Sequence, residues 1–170
     1  GKKILYTLYI VLMLMPFQVT MVSSYLVLNK LGLIDTVWAV ILPGAASTLP
    51  VFIMTRFFMD IPEAVMEAAA VDGASSFQTF LRFGLPLGAP GILSAVVLGF
   101  LEYWNAIESP QAFLKTQALW PLPLYMSNIT ADNAGVSLIA SLITLMPPLL
   151  IFLSGQKYLE QGIISSGMKD

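Results

Sequence analysis

Charged residues sit between the apolar stretches of this chain and not within them. None occurs from Ile4 to Asn29, from Thr36 to Thr55, from Phe83 to Leu101 or from Asn133 to Gln156. Each stretch approaches the ~20 residues that an α-helix, rising ~1.5 Å per residue, needs to cross a ~30 Å hydrocarbon layer. A chain inside lipid has to satisfy its own backbone, so the stretches are predicted as helices and not strands. The pattern predicts one all-α, polytopic transmembrane bundle over residues 1–170, with spans at about 4–28, 36–57, 83–104 and 134–157. A polar stretch, 60–82, separates the second span from the third.

The spans contain Pro16, Pro43, Pro50, Pro86, Pro90, Pro147 and Pro148. Each lacks an amide donor and tends to kink a helix. Such kinks suit a protein that alternates between shapes, and proline is also simply commoner in membrane helices than in soluble ones. Gly84-Leu85-Pro86-Leu87-Gly88 is a G-x-x-x-G, a spacing that lets two backbones approach closely.

Composition agrees with the pattern. The chain is 57% hydrophobic and 11% charged, with mean hydropathy +0.81, where a soluble domain carries about a quarter charged residues. The net charge of −2 excludes a nucleic-acid binder held by a basic patch. With no Cys and no His, neither a thiolate site nor an imidazole base or ligand is available. No G-x-x-x-x-G-K-[ST] phosphate loop occurs, so the chain does not hold ATP by that device. No charge lies near the middle of a span, which argues against a proton relay or an ion-coupled transporter. Catalytic residues, a cofactor and a metal site are therefore not expected here. If the chain moves a solute, the energy comes from another subunit. A membrane scaffold without a pore and a secondary transporter are the alternatives.

Lys2, Lys3, Arg56, Arg82, Lys157 and Lys169 fall on one side of the predicted membrane, and Lys30 and Lys115 on the other. The richer side is predicted to be cytoplasmic. That places 60–82 and the carboxyl terminus inside, and Lys30–Asp35 and Glu102–Asp132 outside.

The 60–82 stretch is predicted to be a helix–turn–helix elbow. Asp60 suits an N-cap, Pro62 and Glu63 suit the first turn, and Gly73 suits a left-handed stop. Ser75 or Ser76 can cap a second short helix leading through Phe77, Phe80 and Leu81 into the third span. Val65, Met66, Ala68 and Ala69 give a small apolar face beside Glu63 and Glu67. Such a face either docks in another protein's groove or packs on its own bundle, and the residues alone leave both open.

The stretch Glu67-Ala68-Ala69-Ala70-Val71-Asp72-Gly73, followed after nine residues by Phe83-Gly84-Leu85-Pro86, resembles the EAA loop of binding-protein-dependent ABC importer permeases: E-A-A-x-x-x-G, nine residues, then I-x-L-P. Phe83 replaces the usual Ile and keeps its bulk. Ile61-Pro62, Asp72-Gly73-Ala74-Ser75, Trp104-Asn105, Leu122-Pro123-Leu124 and the tail Gln156-Lys157-Tyr158, Gly162 and Gly167-Met168-Lys169 are similar to the sugar-type, maltose-permease-like branch. The resemblance covers essentially the whole chain. It implies a permease bundle in the bacterial inner membrane, with further helices, typically two, ahead of Gly1. It also implies partners: an ATPase dimer that binds ATP and Mg, a second permease subunit, membrane lipid and an extracytoplasmic solute-binding protein. By the same resemblance Glu63, Glu67, Ala68, Ala69, Asp72, Gly73, Leu85 and Pro86 couple to the ATPase. Trp104 and Asn105 are candidate contacts at the outer face, and Trp104 has a second reading as an interfacial aromatic anchor. No residue is assigned to solute.

Overall fold

The computed structural model describes residues 1–128 and 134–167. Ile129–Asp132, in the predicted outer segment, and Met168 and Lys169, in the tail, lie outside the described residues. Among the described residues the chain is helical, with no strand. The helices are α1 (Lys2–Met13), α2 (Phe17–Lys30), α3 (Trp38–Ala45), α4 (Thr48–Met59), α5 (Glu63–Val71), α6 (Ser76–Thr79), α7 (Leu85–Trp104), α8 (Glu108–Phe113), α9 (Leu122–Ser127) and α10 (Ala134–Gly167). A π turn, Phe80–Gly84, joins α6 to α7.

Among the described residues three segments are long and apolar enough to cross a membrane: Trp38–Met59, Ser76–Trp104 and Gly135–Glu160. The shortest has 22 residues and so measures about 33 Å, enough for a ~30 Å core. The third begins seven residues before the predicted boundary at Phe83, because α6, the π turn and α7 run on without a break. The segment predicted as one span over 4–28 is instead two helices, α1 and α2, bent by 104°. Pro16 is the cause. It has no amide for the carbonyl of Leu12, and its ring would collide there. The last amides of α1 tighten to Leu14→Val11 (3.2 Å) and Met15→Leu12 (3.2 Å). Pro16 itself is extended, at φ −60 and ψ 142, and opens α2. The pair amounts to one broken span or to a re-entrant loop.

The chain divides into two compact units. The first comprises Gly1–Thr48 and Phe100–Ile151. Its buried cluster is Leu28, Ala39 and Phe113, ringed by Met21, Tyr25, Leu33, Ile34 and Ala112. α2 stops in a Schellman turn: Gly32 is left-handed (φ +68), its amide reaches the carbonyl of Asn29 (3.0 Å), and the Leu33 amide reaches that of Leu28 (2.9 Å). Leu33 then packs on the Leu28 cluster, the apolar contact that usually accompanies this turn. The Tyr103 hydroxyl donates to the Gly44 carbonyl (2.7 Å).

Three residues after Gly32, Asp35 also has a positive φ, +62. One carboxylate oxygen accepts the amides of Lys115 (2.7 Å) and Thr116 (2.7 Å), and the other accepts the Thr116 hydroxyl (2.6 Å). The Asp35 amide donates in turn to the Phe113 carbonyl (2.9 Å). The Thr116 hydroxyl and then its amide pull the Asp35 carboxyl below its ordinary value; partial burial opposes them, and the Lys115 amide and charge add to the lowering.

The second unit comprises Leu49–Gly99 and Phe152–Asp170. Its organising feature is a stripe of small residues on α7 and the turn before it, with Gly84, Gly88, Gly91, Ser94 and Ala95 all buried. A Cβ on Gly88 would stand 2.8 Å from the Phe58 ring, and one on Gly84 3.3 Å from Phe80. So the G-x-x-x-G receives aromatic rings here. Closer still are Gly91 to the Phe57 side chain and Gly155 of α10 to Val97. Ser94 donates to the Tyr158 carbonyl (2.9 Å) and fixes α7 against α10 at this point.

Two outcomes follow from this packing. Gly155→Leu or Gly91→Leu forces Val97 or Phe57 aside and lowers stability by about 1–3 kcal/mol, read as a fall in the melting temperature of the purified protein. Gly99→Ala, where no heavy atom lies within 4 Å of the added Cβ, leaves it unchanged; equal effects at all three positions would mean that the stripe is not close-packed. The Asp35 contacts have a pH signature. A carboxylate whose folded pKa is depressed adds stability above its unfolded pKa of ~3.9, and that stability is lost as pH falls through the lower folded value. Amide protection factors at Lys115 and Thr116, corrected for the intrinsic pH dependence of exchange, are therefore expected to stay high at neutral pH and to fall only in acid; a fall already near pH 6 would contradict the assignment.

Candidate functional site

The polar elbow is built from local rules. Asp60 does not cap α5. Its amide instead closes α4 on the carbonyls of Arg56 (3.2 Å) and Phe57 (3.3 Å). With Asp60 as cap, Ile61 would have to be helical, and a residue before proline is steered away from that conformation. Pro62, extended at φ −59 and ψ 131, stands at the N-cap, and Glu63 opens the helix with its charge in the first turn.

At the other end Gly73 is left-handed, φ +76, as its position after the alanine run predicts. Its amide reaches Ala70 (3.0 Å) and the Ala74 amide reaches Ala69 (3.0 Å), a second Schellman turn. No atom lies within 4 Å of a Cβ placed on Gly73, so backbone conformation and not space demands glycine. Ser75 then caps α6 with a capping box: the Gln78 amide donates to the Ser75 hydroxyl (3.3 Å), and the Ser75 amide donates to the Gln78 side-chain carbonyl (2.9 Å). Gln78 is a structural element of the elbow that its sequence position does not advertise; the S-x-x-Q spacing is the signal that finds it.

Downstream, the Leu85 amide reaches back five residues to Phe80 in the π turn. Pro86 follows at once, with no amide for Arg82. Widening the preceding turn is one of the ways a helix accommodates such a residue. Leu85 is half-buried, Pro86 exposed and Gly84 buried, and the Phe58 and Phe80 rings meet at 6.1 Å.

Burial sorts the faces of α5. Val65 and Met66 are half-buried and Ala69 is buried. Three of the four residues of the apolar face read from the sequence thus turn inward, and only Ala68 remains outside. The outward face carries Glu63, Ala64, Glu67, Ala68 and Val71, spaced by three and four residues as one helical stripe requires. Val71 is 87% exposed, and beyond the turn Phe77 is 69% exposed. These two apolar groups escaped the sequence reading because periodicity gives stripes without saying which one is covered. Glu63, Glu67 and Asp72 are exposed, and no ion pair occupies them among the described residues.

Trp104 and Asn105 are not brought together. Trp104 stacks on Phe100 at 5.5 Å and donates its indole NH to the Thr144 carbonyl of α10 (3.1 Å). Asn105 folds back on its own helix end, donating to Leu101 (2.7 Å).

Residues 1–165 match the family model described as binding-protein-dependent transport system inner membrane component. Similar curated proteins include LplC of Bacillus subtilis, 31% identical over 186 residues that cover 99% of this chain and 62% of that protein. The arabinooligosaccharides transport system permease protein AraQ of Halalkalibacterium halodurans is 27% identical, over 99% of this chain and 62% of its own length. The osmoprotective compounds uptake permease protein GgtD of a Synechocystis strain is 30% identical, over 99% and 59%. The chain thus spans about three-fifths of the length of these relatives.

The elbow geometry is open to direct measurement. Gly73→Ala is expected to cost about 1–2 kcal/mol locally, the penalty for a left-handed residue with a Cβ. Gly73→Val costs more, and Gln78→Ala about 0.5–1.5 kcal/mol from the lost bond to Ser75. Hydrogen exchange at Gly73, Ala74 and Gln78 reads all three. Unchanged protection in Gly73→Val would mean that the turn is not what holds the elbow.

Proposed function

The chain belongs to the inner membrane components of binding-protein-dependent transport systems, and from that premise we propose that it is part of a permease subunit of an ATP-driven importer whose elbow docks on a separate ATPase. The observation that carries this reading is the outward stripe of α5. One face of the helix is buried, the turn that follows it is fixed by Schellman and capping-box bonds, and the remaining face presents Glu63, Glu67, Ala68 and the 87% exposed Val71. A small, rigid, apolar-and-acidic ridge of this kind fits a groove with basic walls. Asp72 and Gly73 end the ridge, and Leu85 and Pro86 begin the helix that leaves it. That helix is continuous from Ser76 to Trp104, so a displacement of the elbow is carried along one axis into the membrane.

In this reading the Lys/Arg asymmetry puts the elbow on the cytoplasmic side of a bacterial inner membrane, and Lys30–Asp35 and Lys115 outside. Two ATPase subunits bind ATP and Mg and close on each other. The ridge follows, and this chain and a second permease subunit pass between inward-open and outward-open states. A solute-binding protein delivers solute at the outer face. Because one relative is named for arabinooligosaccharides and another for polygalacturonan and rhamnogalacturonan, we infer a carbohydrate as the solute class.

The test uses the full-length permease purified with its ATPase. Val71→Asp puts a charge where an apolar contact is expected, and Glu67→Ala removes a charge-assisted hydrogen bond of about 1.5–3 kcal/mol, roughly ten- to a hundredfold in affinity. Both variants are expected to insert normally, to lose the ATPase on purification and to lose uptake, while Val71→Ala retains both. Normal ATPase retention and uptake in Val71→Asp would remove the stripe from the coupling interface.

A further inference from the structure

By connectivity, residues 105–121 hang from the carboxyl end of α7. Beyond Asn105 and Ala106, which bond back to that helix end, the segment is tied elsewhere. Asp35, on the connection between α2 and α3, takes the Lys115 and Thr116 amides and the Thr116 hydroxyl, and gives its own amide to Phe113. Phe113 is 1% exposed and lies in the cluster with Leu28 of α2 and Ala39 of α3. Four hydrogen bonds and a buried ring thus tie this segment to α2 and α3.

The identity of residue 35 points the same way. A φ of +62 is uncommon for any residue with a side chain, though less so for Asp and Asn. Residues held there persist where the surroundings over-determine them. Gly32, three residues earlier, shows the unstrained solution to a left-handed turn. Glycine at 35 would make the turn equally well and would lack only the carboxylate.

We propose that Asp35 is a positioning residue that fastens residues 105–121 to the α2–α3 connection, so that the exposed Lys115–Ala118 surface is held in one place for the solute-binding protein. The choice of that partner rests on the import reading above; the fastening does not. Asn at 35 tolerates the left-handed turn and keeps an acceptor for both amides. Gly keeps the turn and loses the acceptor. Thr116→Val removes only the hydroxyl bond.

The experiment has two arms on the full-length permease. In the first, nitroxide labels on cysteines at Lys30 and Gln117 report their separation by pulsed electron resonance. One narrow distance is expected, the same without nucleotide and after vanadate trapping with the ATPase. It broadens in Asp35→Gly, broadens less in Thr116→Val and stays narrow in Asp35→Asn. A wild-type distance that shifts between the two states, or one as narrow in Asp35→Gly as in wild type, overturns the fastening. In the second arm, Asp35→Gly raises several-fold the binding-protein concentration that half-maximally stimulates ATP hydrolysis, leaves basal hydrolysis unchanged, and Asp35→Asn restores the wild-type value. An unchanged half-saturating concentration overturns the functional role. Absence of any stimulation in the wild type, with the narrow distance retained, overturns the import reading and supports the fastening alone.

Discussion

In hydrocarbon an amide or carbonyl without a partner costs several kcal/mol, and the departures from regular helix around Pro16, Pro43 and Pro86 answer that constraint. Pro16 leaves Leu12 without its amide, and the helix breaks and restarts. Pro43 is followed by a tightening to three-residue bonds at Ala46 and Ser47. Pro86 is preceded by a π turn. Hydroxyls obey the same rule: those of Thr20, Thr55, Ser141 and Thr144 fold back on carbonyls three or four residues earlier. Close packing on α7 is the complement. Where helices bond only within themselves, association relies on shape, and the buried glycines supply it by admitting Phe57, Phe58 and Val97.

Much of this was legible in the residues. The charge-free stretches mark three of the four spans because one charge in a membrane helix is expensive, so its absence is informative. The left-handed turn at Gly73 and the cap at Ser75 were legible because both rest on contacts within a few residues. What escaped the sequence depended on long-range contacts or on competition between local rules. Proline at 62 overrode the capping preference of Asp60. Pro16 was visible as a kink, but the size of the bend, 104°, was not. The tie from Trp104 to Thr144 crosses 40 positions. The bonds from Asp35 to Thr116 cross 81 positions, and no local pattern announces them.

Asp35 and the acids of the elbow are used in opposite ways. Asp35 is engaged by three donors, so its charge is satisfied by hydrogen bonds within the chain and serves architecture. Glu63, Glu67 and Asp72 stand exposed, without an ion pair among the described residues. That contrast separates a charge used to hold the fold from charges available to something outside it. The turn after α5 takes its shape from backbone bonds and the Ser75–Gln78 cap, while the outward acids of α5 stay exposed.

The cap bonds of the elbow all lie within Glu63–Gln78. A structure held by contacts this short in sequence closes in microseconds or less, whereas a ribosome adds only about 5–20 residues per second. The turn from Ala69 to Gln78 can therefore close as soon as Gln78 leaves the ribosomal tunnel, before the helix that follows has been completed or has met α10, whereas α5, only nine residues long, gains its stability from packing. The turn is in this sense a prefabricated part, and a lesion deep in the membrane that prevents packing would still leave it correctly shaped.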